Sequence, residues 1–420
     1  MSRSAPFRFV GLLSILTTLS PAAASAQANQ ALPSPLSLGD VIRIAAERRD
    51  EIRAAYARTR AAEARSTSVS ALADPMLSSS LDHLPFALEG ADWSVTYEQQ
   101  IPLSGLRGHR RASALAQVDV LRADVNRTTL DIGVEAARAF LMLQERRRVT
   151  TLVDEQIGFA REVVSAATAR YAAATAPQSD VLRAEVEVAR LEALARALVS
   201  DVRGAEAMLL TSLGLDTGLP VPPLAPIPVA RSVPAWPEIK AALATRPELA
   251  GGRAEVARAE ADVRIMRDMF RPMAIIRTGP SYTMTDGAGW MAMVGLSLPI
   301  WRDKLRAGVA EAEAMRAMSE ADLRAMTRMI EGQAAVAVNQ VQAARDRQAA
   351  LTSDVLPRAR LAIEPAVAGY ASGRLPLVSV IEAVQALWVV QSDLITAETE
   401  LALAWARLGR AIGSYEVIVQ

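Results

Sequence analysis

One apolar helix pattern occurs twice in the chain, 199 residues apart, and it restricts the possible folds more than any other feature. In each copy, nine apolar residues alternate three and four positions apart. The first set is Val181, Ala184, Val188, Leu191, Ala195, Leu198, Val202, Ala205 and Leu209, and the second is Val380, Ala383, Leu387, Val390, Leu394, Ala397, Leu401, Ala404 and Leu408. This spacing forms one seam along a helix, which needs a partner helix. We therefore predict two copies of one long helical hairpin.

Prolines upstream of each hairpin repeat at an offset of 197 residues. Pro75 and Pro102 correspond to Pro272 and Pro299. The stretch that joins the two copies contains seven prolines, which exclude a helix and predict an extended linker. The resulting division is a first repeat at 27–214, a proline-rich linker at 215–237, a second repeat at 238–413 and a C-terminal tail at 414–420.

Between the paired prolines, the sequence period changes from helical to two. Trp93, Val95 and Tyr97 alternate with polar residues, as is typical of a transmembrane strand. A soluble amphipathic hairpin is the alternative that this alternation leaves open. Four strands cannot close a barrel, and lipid does not tolerate open strand edges, so membrane strands would need three chains to give twelve. The predicted strands lie at about 76–84, 92–101, 273–285 and 289–298.

Helix-forming residues dominate the rest of each repeat and predict helical hairpins at 104–214 and 300–413. The fold class is therefore mainly α with a small β part. Pro357 and Pro365 interrupt only the second hairpin, opposite Gly158 and Ala166 in the first. Because proline removes a backbone hydrogen bond and favours a kink, we predict that the second hairpin contains the moving helices of a gate.

The N-terminus and the composition predict where the chain acts. Arg3 and Arg8 precede an apolar core at 9–19, and small residues follow at 24–26, so we predict a signal peptide at 1–26. No uninterrupted run of 18 apolar residues follows, which favours strands over helices for any membrane insertion. The chain has no cysteine, so neither a disulfide nor a lipid anchor on cysteine is expected. Its 46 basic and 46 acidic residues argue against a nucleic-acid-binding surface.

In this arrangement the chain resembles the TolC-type outer-membrane efflux protein family over essentially the whole mature sequence. No single motif is specific, but the order of the motifs within a duplicated frame is. The motifs are Leu36-Ser37-Leu38-Gly39-Asp40-Val41-Ile42 near the start, Gln100-Ile101-Pro102-Leu103 and Leu298-Pro299-Ile300 after the strand pairs, and Tyr171 with Ser179-Asp180-Val181-Leu182 and Tyr370 with Gly373-Arg374-Leu375-Pro376-Leu377 at the turns.

The resemblance implies a homotrimer in the outer membrane of a Gram-negative bacterium, with a twelve-stranded β-barrel above a periplasmic α-helical tunnel. It implies a passive exit duct whose partners are outer-membrane lipid, a periplasmic adaptor (membrane fusion) protein and an inner-membrane RND-type pump. Asp74-Pro75-Met76 and Leu84-Pro85 look most like the branch for heavy-metal or copper efflux. The expected cargo is therefore metal ions or small toxic compounds, and no cofactor is implied.

The resemblance also implies that the two helix turns are the tips where the adaptor docks. Turn formation alone is the simpler explanation for the prolines and the glycine at these positions. A gate is expected at the same end, with Pro357 and Pro365 as hinges and Asp180 and Arg374 as a tethering pair; solvated tip charges are the alternative for that pair. The predicted docking residues are Thr175, Ala176, Pro177, Ser179, Asp180, Gly373, Arg374 and Pro376.

The first turn departs from the family pattern. It has Ala174 where the second turn has Gly373 and where the family commonly has glycine, so its backbone geometry is less determined by the sequence.

Two other classes of function are compatible with parts of the sequence. A periplasmic coiled-coil scaffold or adaptor without a membrane barrel shares the helices and the export signal, but it does not explain the strands. An enzyme would need a nucleophile elbow, a phosphate-binding loop or a cluster of metal ligands, and none of these patterns is present. His83 and His109 are the only histidines, so no resident metal site is expected.

Overall fold

The computed structural model describes residues 32–82, 91–227 and 232–414. The predicted signal peptide, His83 and the Leu84-Pro85 motif lie outside these residues, as does nearly all of the predicted C-terminal tail. The described chain is mainly helical with one four-stranded antiparallel sheet, as the sequence predicted.

Each half of the chain places two strands between helices. The first half contains α1 (Leu38–Arg48), α2 (Asp50–Ser70), β1 (Met76–Asp82), β2 (Asp92–Pro102), α3 (Leu106–Ala172) and α4 (Gln178–Ser212). The second half contains α5 (Trp236–Leu243), α6 (Pro247–Asp268), β3 (Met273–Thr283), β4 (Gly287–Ser297), α7 (Arg302–Ala350), a π-helical segment (Leu351–Val355), α8 (Leu356–Leu361), α9 (Ile363–Ala371) and α10 (Leu377–Ile412).

The sheet has the order β1-β2-β3-β4 and two chemically different faces. On one face, serine and threonine hydroxyls pair across β1 and β2, and Arg277 donates to the Glu98 carboxylate at 2.5 Å. On the other face, Trp93 stacks on Tyr282 with ring centroids 6.5 Å apart. This second face is bare in the single chain: the exposed fraction is 70% for Trp290 and 77% for Val294. The sheet therefore presents an apolar face and two unpaired edges, β1 and β4.

Close approach of β2 and β3 requires a glycine at position 279. A Cβ atom there would lie 1.9 Å from the backbone oxygen of Val95, which no side chain can avoid by rotating. Gly279 thus permits the contact that joins the strand pair of the first half to that of the second half.

The repeated seams face their neighbouring helices. All nine positions of each set are buried or half-buried, because α4 packs along α3 and α10 packs along α3, α7 and α9. By length and apolar composition α10 also resembles a membrane-crossing helix, contrary to the expectation from uninterrupted runs. Only 17% of its most apolar window is buried within the single chain.

The proline-rich linker is an extended strap held by α3. Leu36 forms a parallel bridge with Leu224 in the strap, with two backbone hydrogen bonds of 2.9 and 2.8 Å. Arg147 of α3 donates to the carbonyl oxygens of Pro222 and Val221 and pairs with Glu206 of α4 at 2.7 Å. The strap is therefore held against the middle of α3, beside the last part of α4.

Candidate functional site

The turn between α3 and α4 has a left-handed residue that is not glycine. Ala174 adopts φ 54°, and the amide of Thr175 donates to the carbonyl oxygen of Arg170 at 2.9 Å, which closes the end of α3. Pro177 then precedes α4, and the side chain of Ser179 is exposed. The first turn thus keeps the geometry that glycine favours, with alanine in its place.

The turn between α9 and α10 repeats this geometry. Gly373 adopts φ 72°, and the amide of Arg374 donates to the carbonyl oxygen of Gly369 at 2.9 Å. Pro376 precedes α10 as Pro177 precedes α4. Gly373, Arg374 and Pro376 are exposed. Both tips therefore offer the same short, exposed backbone loop.

A contact that the sequence analysis missed joins the two tips within one chain. Arg170 donates to the carbonyl oxygen of Tyr370, and its guanidinium lies 4.4 Å from the centroid of the Tyr370 ring. Burial, followed by the charge of the Asp180 carboxylate, raises the pKa of the Tyr370 phenol. The second half has Gly369 at the position of Arg170, and a Cβ atom there would lie 2.5 Å from the Leu375 side chain.

The predicted pair of Asp180 and Arg374 does not form within one chain, where both residues are described. The Arg374 guanidinium instead donates to Ser372 Oγ at 2.9 Å, and Asp180 lies near Tyr370. Tyr171 and Tyr370 mark equivalent positions in the sequence, but only Tyr370 is buried. Nothing in the linear sequence indicates that Arg170, which precedes Tyr171, packs on Tyr370.

Above the tips, three contacts hold the hairpins against each other. Gln385 Nε2 donates to Glu187 Oε2 at 3.0 Å, and Phe159 meets Trp388 edge to face with centroids 6.4 Å apart. Further along, Arg148 pairs with a carboxylate of α10, at a distance of 2.6 Å from Glu398. Any widening of the tips must break or shift these contacts.

The helices of the second hairpin are interrupted where the sequence placed the hinge candidates. The π-helical segment Leu351–Val355 precedes α8, which has Pro357 in its first turn, and α9 has Pro365 just after its start. Ala362 separates α8 from α9. The equivalent part of α3 is continuous, so the two halves differ in helix continuity at this distance from the tips.

An ionic cluster at the other end of α10 joins the two halves. Arg410 pairs with Asp131 of α3 at 2.6 Å and with Glu248 of α6 at 2.7 Å, and Glu248 also pairs with Arg246, which is 4% exposed. Burial opposes the charge on Glu248, but hydrogen bonds from both arginines lower its pKa to about 2. The cluster fixes α6 and α10 to α3, far from the tips.

The acidic and histidine side chains that the structure describes form separate contacts rather than one cluster. Across residues 32–82, 91–227 and 232–414, no three His, Cys, Asp or Glu side chains are grouped as metal ligands would be. His109 Nδ1 lies 2.8 Å from Asp268 Oδ2, where it joins the start of α3 to the end of α6.

Known proteins share this sequence pattern and this fold. Residues 239–414 match the family described as "Outer membrane efflux protein". The chain is 26% identical to the pyoverdine export outer membrane protein OpmQ of Pseudomonas putida, over 94% of this chain and 90% of the relative. It is 24% identical to the outer membrane efflux protein BepC of Brucella suis, over 72% of this chain and 67% of that protein. The solved structure of CusC superposes with a TM-score of 0.78 at 14% identity, over 90% of this chain and 92% of CusC.

Proposed function

Because this chain belongs to the TolC-type outer membrane efflux proteins, which are conduits and not enzymes, we propose that three copies form one exit duct. The observation that carries this proposal is the sheet, with its bare apolar face and two unpaired edges. Pairing β4 of each copy with β1 of the next gives twelve strands without an edge. The apolar face then meets lipid, and the Glu98–Arg277 pair lines the water-filled interior.

We propose that the duct stands in the outer membrane and that its helices extend into the periplasm. At about 1.5 Å per residue, the 67 residues of α3 reach about 100 Å from the sheet. The tips therefore lie far from the membrane, where a periplasmic adaptor and an inner-membrane pump can meet them. The proposed docking surface comprises the tip residues Thr175, Ala176, Pro177, Ser179, Asp180, Gly373, Arg374 and Pro376, of which Ala176 and Asp180 are half-buried and the others are exposed.

The resting duct is closed at the tips and opens when the second hairpin moves. Pro357 and Pro365 supply the bend, while Arg170 on the continuous α3 holds Tyr370 on the interrupted side. Asp180 and Arg374 are candidates for a contact between neighbouring copies, since they do not pair within one copy. Opening then requires loss of the Arg170–Tyr370 contact without unfolding of either hairpin.

Small periplasmic solutes are the proposed cargo. The sequence resemblance favours metal ions or small toxic compounds, and the name of the P. putida relative adds pyoverdine export as an activity to test. The chemistry of the described residues supports passage rather than tight binding. Selection among cargoes belongs to the pump that loads the duct.

The direct test is the oligomeric state and the location of the exported protein. Full-length protein is produced in a Gram-negative host, and membranes are extracted with mild detergent before mass determination by light scattering. We expect an outer-membrane trimer. A monomer released with the soluble periplasm would support the scaffold alternative and reject the duct.

A further inference from the structure

A basic cleft lies directly beneath the sheet, outside the tips and the ionic cluster. It has a volume of about 580 Å³ and is formed by the end of α2, the start of α3 and one side of α6. Arg65, Arg110 and Arg258 line it, one from each helix, and no lining residue is acidic. Cations that share one cleft repel each other, so a cleft with unpaired arginines favours a bound anion.

The arginines are incompletely paired by the protein. Within the part of the chain that the structure describes, the guanidinium groups of Arg65 and Arg110 make no ion pair and no side-chain hydrogen bond. Arg258 pairs with Glu255, but its Nε atom is buried without a hydrogen-bond partner. A buried donor without a partner is unfavourable, and a bound acceptor would satisfy it.

The nearby acidic residues balance only part of the charge of the cleft, because neither of them pairs with Arg65 or Arg110. Glu255 is engaged by Arg258, and Asp262 of α6 accepts a hydrogen bond from Ser113 Oγ at 2.6 Å. The Ser113 hydroxyl and the Gln117 amide also line the cleft, which adds neutral polar groups beside the arginines. Because the Ser113 proton already goes to Asp262, the donors left for a ligand are the guanidinium groups and the Gln117 amide, which are typical of sites for phosphate groups.

The cleft adjoins the apolar face of the sheet, and a hydrogen bond connects the two. Gln99 follows Tyr97 along that face of β2, and its amide donates to the carbonyl oxygen of Ala73, a lining residue, at 2.8 Å. Val69, Leu72 and Ile265 form the apolar part of the lining. The cleft thus combines cationic donors with an apolar wall at the level where lipid head groups would lie.

We propose that this cleft binds the phosphate of an anionic phospholipid, with the glycerol and first methylenes against the apolar wall. The choice of a lipid as the source of the phosphate rests on the proposed placement of the sheet in the outer membrane. A free phosphate ion shares the same recognition chemistry. The bound lipid would fix the ends of α2, α3 and α6 against the strands that they enter and leave.

The test compares two variants of the detergent-purified trimer. The cleft variant combines Arg65→Gln, Arg110→Gln and Arg258→Gln. The matched control removes one arginine from each of the same three helices outside the cleft, with Arg53→Gln, Arg122→Gln and Arg253→Gln. Native mass spectrometry counts the phosphatidylglycerol and phosphatidylcholine retained by each trimer, and equilibrium dialysis measures binding of inorganic phosphate.

We expect the unmodified trimer and the control to retain phosphatidylglycerol over phosphatidylcholine, and the cleft variant to lose that affinity at least about tenfold. Phosphate binding without phosphatidylglycerol retention would keep the anion site and reject the lipid as its source. Equal binding of both probes by all three proteins would overturn the inference. If a stable membrane trimer binds neither phosphatidylglycerol nor phosphate, the anion site is rejected and the proposed duct is unaffected. If the protein does not form a trimer, the proposed duct is rejected, and phosphate dialysis still tests the anion site.

Discussion

The two halves of the molecule share one plan but differ in continuity. In the first half, α3 runs unbroken for 67 residues from the sheet to the tip. In the second half, the same path is divided into α7, a π-helical segment, α8 and α9. The two tip turns nevertheless have the same backbone conformation, with left-handed residues at positions 174 and 373. The two hairpins therefore share the geometry of their ends, while only the second is interrupted between them, and we propose that the first half is stiff and the second half moves.

The largest effect is expected when a helix break is introduced into the first half. Gly158 of α3 is exposed, and a Cβ atom there would meet nothing within 4 Å. Gly158→Pro removes a backbone hydrogen bond in mid-helix and is expected to destabilise the protein by about 3 kcal/mol or more. Gly158→Ala is the control and should stabilise it by about 0.5–1 kcal/mol. Thermal unfolding of both variants measures the difference, and equal melting temperatures would contradict the stiffness assigned to α3.

The next effect concerns the cluster that joins the halves away from the tips. Glu248→Gln leaves Arg246 and Arg410 without their shared carboxylate and should destabilise the protein by about 2 kcal/mol at neutral pH. Because the folded pKa of Glu248, about 2, lies below the ordinary value of 4.5, its contribution is present above pH 4.5 and is lost as the pH falls towards 2.

Unfolding measured between pH 7 and pH 2 tests this assignment. The difference between wild type and Glu248→Gln should shrink as the pH falls through that window. Arg43→Gln, at an exposed pair on α1, serves as the control and should leave the free energy of unfolding nearly unchanged, because solvent screens that pair. A constant difference between wild type and Glu248→Gln at all pH values would show that the carboxylate charge does not stabilise the junction.

The converse experiment removes the two prolines that interrupt the second hairpin. Replacement of Pro357 and Pro365 by alanine should favour a continuous helix from α7 to α9 and should change stability little. We expect lower efflux with normal trimer formation, because the second hairpin can no longer bend. The measure is drug or metal susceptibility of a strain that carries the variant, and wild-type resistance would remove these prolines from the gate.

The smallest effect concerns the backbone of the first turn. Ala174 occupies a left-handed conformation that costs an alanine about 1 kcal/mol relative to glycine. Ala174→Gly should therefore raise the free energy of unfolding by about 0.5–1 kcal/mol, whereas Gly373→Ala should lower it by a similar amount. A loss of stability in Ala174→Gly would mean that the alanine methyl group makes a packing contribution larger than the strain.

Sequence periodicity was sufficient for the helical seams and for the small antiparallel sheet, because spacings of three to four and of two show which residues share one face of a helix or a strand. Pro357 and Pro365 likewise marked the interrupted helices, since proline acts on its own backbone. The contact of Arg170 with Tyr370 and the cluster of Arg410 with Asp131 and Glu248 could not be found in this way. Their partners are brought together only by packing of the two halves, and nothing in the local sequence pairs them.

The most direct test of the account is single-channel conductance in a planar bilayer with the hairpins tethered. The chain has no cysteine, so Glu187→Cys with Gln385→Cys allows a short, reducible thiol cross-linker to join α4 to α10 where the two side chains now touch. The account predicts a closed, low-conductance trimer after cross-linking and a several-fold increase in conductance or open probability when reductant cleaves the linker. The same conductance before and after reduction would contradict a gate that opens by movement of the second hairpin against the first.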